Sequence, residues 1–157
     1  MSIGDLNWAR LIAWRHLAAQ FFDMPGMLAR LAQIHGVAVD HGRDGSTIQA
    51  RLLGGWVQGR MATMGLDVPL ELRPDDAYEH GVCRFVIHTS GLGEQARFSV
   101  THQPGARLCA EVRVGDQDLI ARTVRLARRP TAELLGIELT LPGHDTLFEE
   151  ALAAALR

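Results

Sequence analysis

Apolar residues in the first part of the chain recur with the period of an α-helix. Residues 5–22 follow spacings of three, four and seven, which is typical of the core-facing side of an amphipathic helix. Asp5 or Asn7 is expected to cap the first turn. Residues 23–26 include a proline and a glycine, so the helix is predicted to end there, and residues 27–33 are expected to add a short helical turn.

A second helix is predicted from a cap at Ser46 to about Met64. Glycines at positions 54, 55 and 59 fall inside it, and each costs about 1 kcal/mol of helix propensity relative to alanine. Glycines are expected at these positions because the helix approaches a sheet or another helix closely there, with Trp56 filling the neighbouring space.

The remaining segments mostly show the period of two that is typical of strands. The predicted strands cover residues 34–40, 66–72, 82–89, 96–102, 108–114 and 119–127. Pro69 indicates that its strand lies at an edge or contains a bulge. Two further helices are predicted, one over 132–141 with Thr131 as its cap, and one from Asp145 or Thr146 through Leu156. The order of elements predicts an α+β fold in a single domain over 1–157, with a mixed, largely antiparallel sheet of five to six strands and helices packed on one face.

Composition narrows the possible functions. The chain has 157 residues, 47% of them hydrophobic and 22% charged, which is typical of a globular protein. The formal net charge of −2 gives no sign of a nucleic-acid partner. All 16 basic residues are arginine, so lysine chemistry, including a Schiff base or a phosphate-loop lysine, is excluded. No secretory signal or apolar run long enough for a membrane span is visible, and two unpatterned cysteines favour a reducing compartment. A cytoplasmic protein with no membrane association is therefore expected.

Histidine and cysteine provide the only candidate metal ligands. His80 and Cys83 form an HxxC pair, and His88, His102 and Cys109 lie on nearby predicted strands. A zinc site needs three or four converging ligands, and convergence across several strands is not indicated by the spacing. We therefore expect isolated histidines, no metal and no cofactor, with a metal site as the alternative.

No nucleophile has the surroundings that catalysis requires. Ser90 lacks a GxSxG turn. Cys83 and Cys109 fall within alternating strands, where a small buried side chain is the usual role, and a redox-sensitive thiol is the alternative. The sequence therefore predicts no catalytic residues and a protein that is not an enzyme.

One polar pattern runs along the predicted strands. Their outward positions are rich in arginine and short polar residues: Arg84, Arg97, Ser99, Thr101, Glu111, Arg113, Thr123 and Arg125. Arg122, Arg128 and Arg129 extend the charge towards the last helices. A half-exposed antiparallel sheet normally has polar residues outward. The alternative is a protein-binding face, because arginine is enriched at interfaces.

Three segments resemble the glucose-6-phosphate dehydrogenase assembly proteins of the OpcA family. The first is Asp-Leu-Asn-Trp-Ala-Arg-Leu-Ile-Ala-Trp-Arg over residues 5–15, followed by Phe-Phe-Asp at 21–23. The second is Leu-Leu-Gly-Gly-Trp-Val-Gln-Gly-Arg over 52–60. The third runs from the Arg-Arg-Pro-Thr-Ala-Glu-Leu-Leu stretch at 128–135 to Phe-Glu-Glu-Ala-Leu at 148–152. The resemblance covers the family's C-terminal half.

The resemblance implies a non-enzymatic partner of glucose-6-phosphate dehydrogenase that promotes the assembly or activity of that enzyme. Its motif positions, candidates for partner binding, are Trp8, Trp14, Arg15, Trp56 and Arg60. Tryptophans on an apolar helix stripe are also typical core residues. Arg15 is expected to pair with a carboxylate in the domain or on the partner. The alternative function is a sensor of sugar phosphates or other small anions, using the arginine-rich face and the cap of the Ser46 helix.

Overall fold

The computed structural model describes residues 5–43, 47–91, 93–127, 129–140 and 145–157. Its helices are α1 (Leu6–Arg10), α2 (Ile12–Phe22), α3 (Thr47–Ala62), α4 (Thr131–Thr140) and α5 (Thr146–Ala155), with a 3₁₀ helix at Leu28–Gln33. Its strands are β1 (Ile34–His41), β2 (Leu70–Pro74), β3 (Val82–Gly91), β4 (Glu94–Gln103), β5 (Arg107–Val114) and β6 (Gln117–Arg125). The predicted α+β fold is confirmed.

The strands form one six-stranded sheet in the order β2-β1-β3-β4-β5-β6. Strands β3 to β6 form an antiparallel meander, and β1 pairs antiparallel with β3. Only β2 runs parallel to its neighbour, β1. It lies at the sheet edge, as Pro69 predicted. Pro69 directly precedes the strand, where its carbonyl accepts from the Val37 N–H at 3.0 Å, and a second proline, Pro74, ends it.

The core lies between the helices and one face of this sheet. Helix α2 contacts β4 and β5, where Phe21 stacks on Phe98 with 4.7 Å between ring centroids. Helix α3 contacts β1 and β2, and α5 packs on α3. The prediction that the helices pack on one face of the sheet is therefore confirmed.

The glycines of α3 make the close approaches that the sequence predicts. A Cβ at Gly54 would clash with the Leu70 side chain of β2, and one at Gly55 would lie 2.6 Å from the carbonyl oxygen of Ala151 in α5. A Cβ at Gly59 would lie 3.3 Å from the carbonyl oxygen of Glu150. These residues therefore set the distance of α3 from the sheet and from α5.

The predicted helix over 5–22 is interrupted in the structure. Asp5 caps α1 by accepting a 2.7 Å hydrogen bond from the Asn7 N–H. At Leu11 the backbone leaves the regular pattern, because its N–H donates to the Trp8 carbonyl three residues back, at 3.1 Å. A new helix, α2, then begins at Ile12.

The predicted strand 66–72 begins later, at Leu70. Gly65 takes a left-handed φ of 74° after α3, and the Leu66 N–H donates to the Met61 carbonyl at 3.0 Å. The start of that segment therefore closes the C-terminal end of α3 rather than pairing in the sheet. Asp145 caps α5 as predicted, whereas Thr131 lies within α4 and Ser46 lies outside the described residues. Within the described ranges, no helix is long and apolar enough to cross a membrane.

Candidate protein-binding surface

Two motif residues of the N-terminal helices, Trp8 and Arg15, make contacts inside the protein that reach α5. Trp8 is 2% exposed, and its indole N–H donates to Asp145 Oδ2 at 2.8 Å. The other oxygen of Asp145 accepts from the Phe148 N–H at 3.0 Å and so caps α5. Arg15 lies over the Trp8 ring, 3.6 Å from its centroid, which is cation–π geometry. Trp8 and Arg15 thus join the N-terminal helices to α5.

The other motif residues lie in or beside the core. Trp14 is 4% exposed, and Trp56 is half-buried against the hydrophobic core. Arg60 donates from α3 to Glu150 of α5 at 3.0 Å and remains half-exposed. Trp8 and Trp14 offer almost no surface to a partner, so any contribution they make to binding acts through the position of the helices. The partner-binding role of all these residues stays a prediction.

The face of the sheet that points away from the helices carries a grid of polar side chains, which we call the open face. Strand register places its side chains in three rows. The rows are Arg73-Asp40-Arg84-Thr101-Cys109-Thr123, Glu71-Ala38-Val86-Ser99-Glu111-Ala121 and His88-Arg97-Arg113-Asp118. The predicted grouping of Arg84, Arg97 and Arg113 on one face is thus found.

Long charged side chains surround small buried residues on the open face. Ala38, Val86 and Ser99 lie near its middle and are only 2–3% exposed. A shallow depression of about 230 Å³ opens above Ser99. Its lining consists of Arg97, Ser99, Glu111, Arg113, Asp118, Leu119 and Ala121.

Residues 1–152 match the OpcA family model that describes the C-terminal domain of a glucose-6-phosphate dehydrogenase subunit. The chain belongs to this family. The resemblance seen in the three motifs is therefore confirmed, and it covers the helices, the sheet and the open face together.

The chain is also similar to three curated proteins, each called a putative OxPP cycle protein OpcA. The Synechocystis sp. protein is 37% identical over 183 residues, covering 99% of this chain and 38% of the relative. The Synechococcus elongatus protein is 26% identical over 179 residues, covering 96% and 40%. The Nostoc punctiforme protein is 39% identical over 59 residues, covering 38% and 12%. The chain therefore spans about two fifths of the length of the relatives that it matches most fully.

The open face of this OpcA-family domain carries charges of both signs. Arg113 forms two hydrogen bonds to Asp118, at 2.6 and 3.0 Å, which lower the pKa of Asp118 and raise that of Arg113. Arg73 likewise hydrogen-bonds Glu71 and lowers the pKa of that carboxyl. The face is therefore mixed in charge, and carboxylates stand among the arginines that the sequence places on it.

Two titratable groups of the open face, His88 and Asp40, are absent from the arginine-rich group that the sequence predicted. Desolvation, and then the charges of His35 and three arginines, lower the pKa of His88. Asp40 Oδ1 is buried and accepts no hydrogen bond from the residues the structure describes. His88 follows Arg84 and Val86 in the alternation of β3, so its outward position was predictable from the sequence. The period-two pattern of 34–40 could have suggested the outward position of Asp40, but not that β1 lies beside β3.

The remaining members of the arginine group are spread more widely. Arg125 follows Thr123 by two residues and pairs with Arg107, so register places it on the open-face side at the end of β6, as predicted. It also borders a cleft on the helix side, together with Arg129, which pairs with Glu133 at 3.5 Å. Arg122 donates to Gln20 of α2 at 2.9 Å. Arg128 lies outside the described residues.

The candidate metal ligands do not assemble in the described structure. Cys83 and Cys109 are both buried, at 2% and 7% exposure, and neither forms a disulfide in the part of the chain that the structure describes. His80 is exposed and lies 3.8 Å from Glu79. Among the residues with described positions, no group of three or more His, Cys, Asp or Glu side chains is placed to hold a metal ion.

Proposed function

We propose that this chain, acting as one domain, binds glucose-6-phosphate dehydrogenase and promotes the assembly or activity of that enzyme without catalysing a reaction itself. The family description links the domain to a subunit of that dehydrogenase. The structural observation that carries the proposal is the open face, a sheet surface on which charged side chains of both signs stand in register.

The spacing of the charges suits recognition of another folded protein. Neighbouring strands lie about 4.8 Å apart, so His88, Arg97 and Arg113 stand at regular intervals across β3 to β5. A register shift beside Arg113 then brings Asp118 of β6 opposite that arginine. A surface with fixed charges of both signs selects a partner with the complementary pattern and rejects others. Exposed arginines add planar donors that match carboxylates on a partner.

A small anion fits this face less well. Two carboxylates, Glu111 and Asp118, line the depression beside Arg97 and Arg113. The Arg113 guanidinium already donates two hydrogen bonds to the Asp118 carboxylate. An incoming phosphate would meet both negative charges at close range, so the sugar-phosphate alternative is disfavoured at this position.

The test is a binding and rate measurement with the purified dehydrogenase of the same cell. We expect micromolar or tighter binding and a change in the dehydrogenase rate when the chain is added. Arg97→Glu should weaken binding by about tenfold, because it puts a like charge where the partner presents a carboxylate. Arg51→Glu is the matched control, since Arg51 is an exposed arginine on α3, on the helix side.

The control variant should bind within about twofold of the unmodified chain. Absence of binding at micromolar concentration would overturn the proposed function. Equal losses from Arg97→Glu and Arg51→Glu would remove the open face as the binding surface.

A further inference from the structure

A second surface feature lies on the opposite side of the sheet, between the N-terminal helices and the ends of three strands. It is a cleft of about 720 Å³. Residues from α1, α2 and α4 form one side, and the start of β3, the end of β4 and the end of β6 form the other. We call it the cationic cleft. It has no part in the proposed open-face interaction.

The floor of the cleft is apolar. It is formed by Ala9, Ile12, Ala13, Val82, Leu126 and Leu134. Ile12, Ala13 and Leu126 are half-buried, so apolar surface remains accessible there. Such a floor favours a ligand that carries apolar groups as well as charge.

The rim of the cleft is basic. It carries Arg10, His16, His80, His102, Arg125 and Arg129. Among the described lining residues there is no Asp or Glu. Two carboxylates outside the lining pair with rim residues: Glu133 lies 3.5 Å from Arg129, and Glu79 lies 3.8 Å from His80. Arg10 and Arg125 leave the cleft with net positive charge, which is complementary to an anionic ligand.

The cleft is too wide for one small anion to contact all of its cations. His80 precedes β3 and Arg125 ends β6, and β4 and β5 lie between these two strands. Three strand spacings amount to about 14 Å. An extended polypeptide advances about 3.3 Å per residue, so about four or five residues would span the cleft.

We propose that the cationic cleft binds an extended acidic segment of another protein, with apolar side chains on its floor and carboxylates at its rim. Alternation along an extended strand places successive side chains on opposite sides. A segment with alternating acidic and apolar residues therefore matches both surfaces at once. This site goes beyond the proposed function, because it requires neither the open face nor the dehydrogenase.

Fluorescence polarisation with a labelled ten-residue peptide of alternating glutamate and leucine tests the proposal. We expect saturable binding to the full chain, weaker by about tenfold for a peptide of alternating glutamate and serine, because the floor then has no apolar partner. The double variant Arg10→Glu with Arg129→Glu should also weaken binding by about tenfold or more. Arg97→Glu, which reverses one arginine on the open face, is the control for charge reversal away from the cleft and should leave peptide binding unchanged.

Circular dichroism and thermal melting establish that each variant is folded. If the double variant does not fold, Arg10→Gln replaces it, since Arg10 is exposed on α1. The proposal is overturned if the glutamate–leucine peptide fails to bind, if it binds no better than the glutamate–serine peptide, or if Arg97→Glu weakens it as much as the cleft variants do.

The two proposals can fail separately. Peptide binding without dehydrogenase binding supports the cleft and overturns the proposed function. Dehydrogenase binding without peptide binding supports the proposed function and overturns the cleft proposal.

Discussion

His88 lies on the open face with positive groups on several sides. Its pKa is lowered first by desolvation and then by His35, Arg97, Arg73 and Arg84. An unfolded histidine titrates near pH 6.5. Because the folded value is lower, the unfolded chain binds more protons below that pH. The contribution of His88 to stability is therefore complete above about pH 6.5 and is lost as the pH falls through the folded value.

His88→Gln should make the free energy of unfolding less dependent on pH in this acidic window. Urea denaturation at about pH 7.5 and about pH 5.5 measures the difference, because the two values bracket the unfolded pKa. His16→Gln, at an exposed position of α2, is the matched control. An unchanged pH dependence in His88→Gln would show that other groups cause the acid sensitivity.

Trp8 joins three parts of the molecule through one side chain. It donates to Asp145 at 2.8 Å, lies under Arg15 at 3.6 Å and packs beside Phe148 at 5.7 Å between centroids. Trp8→Phe removes the N–H donor and weakens the cation–π contact. We expect a loss of about 1–3 kcal/mol in the free energy of unfolding.

Chemical denaturation of Trp8→Phe beside Trp56→Phe tests this expectation. Trp56 is half-buried rather than buried, so its replacement should cost less. If Trp8→Phe and Trp56→Phe lower the free energy of unfolding equally, the hydrogen bond and cation–π contact of Trp8 add nothing to the packing of its ring. The sequence could mark Trp8 as a motif residue, but its partner Asp145 is 137 positions away and was not predictable from spacing.

Among the elements, α3 and α5 form the closest helix pair. A Cβ at Gly55 would lie 2.6 Å from the Ala151 oxygen and 3.1 Å from the Ala155 nitrogen. Because these are backbone atoms, the helices would have to move apart. Gly55→Ala is therefore expected to destabilise the protein by about 1–3 kcal/mol despite the better helix propensity of alanine.

Gly136→Ala is a control within the same protein. Gly136 lies in α4, and a Cβ there would have nothing within 4 Å. The helix-propensity gain is then unopposed, so stability should rise by about 0.5–1 kcal/mol. The urea midpoints of Gly55→Ala and Gly136→Ala, compared with that of the unmodified chain, measure both changes in stability. A Gly55→Ala protein as stable as the unmodified one would show that the glycine is not required by close packing.

The type of each element was predictable because the period of the apolar residues reflects which side chains are buried, and turn residues mark where elements end. The meander follows from alternation between turns, and the glycines of α3 predict close packing correctly. The break at Leu11 was not predictable, since its apolar side chain continues the helical stripe and only the backbone hydrogen bond changes. The late start of β2 depends on Leu66 closing α3, a contact that alternation alone does not reveal.

On the scale of the whole molecule, strand order decides which residues share a surface. The sequence places Arg84, Arg97 and Arg113 correctly because they lie on consecutive strands of the meander. It could not place Asp40 or Arg73 beside them, because β1 and β2 join the sheet out of chain order. The cationic cleft was missed because its residues come from separate parts of the chain, between Ala9 and Leu134, that only the folded structure brings together.

The open face and the cationic cleft lie on opposite sides of one sheet, so their occupants should bind independently. Packed layers are about 10 Å apart, and charges at that distance are largely screened at physiological salt, where the Debye length is about 8 Å. The peptide of alternating glutamate and leucine should therefore bind with the same affinity, within about twofold, when the dehydrogenase is saturating.

Polarisation titrations with and without the dehydrogenase measure this independence, and Arg97→Glu supplies the control in which only the dehydrogenase is released. Competition between peptide and dehydrogenase would mean that one partner reaches both sides of the sheet or that an acidic segment of the dehydrogenase itself fills the cleft. Independent binding would instead make this small domain a connector, with one face for the dehydrogenase and a separate cleft for an acidic segment of another protein.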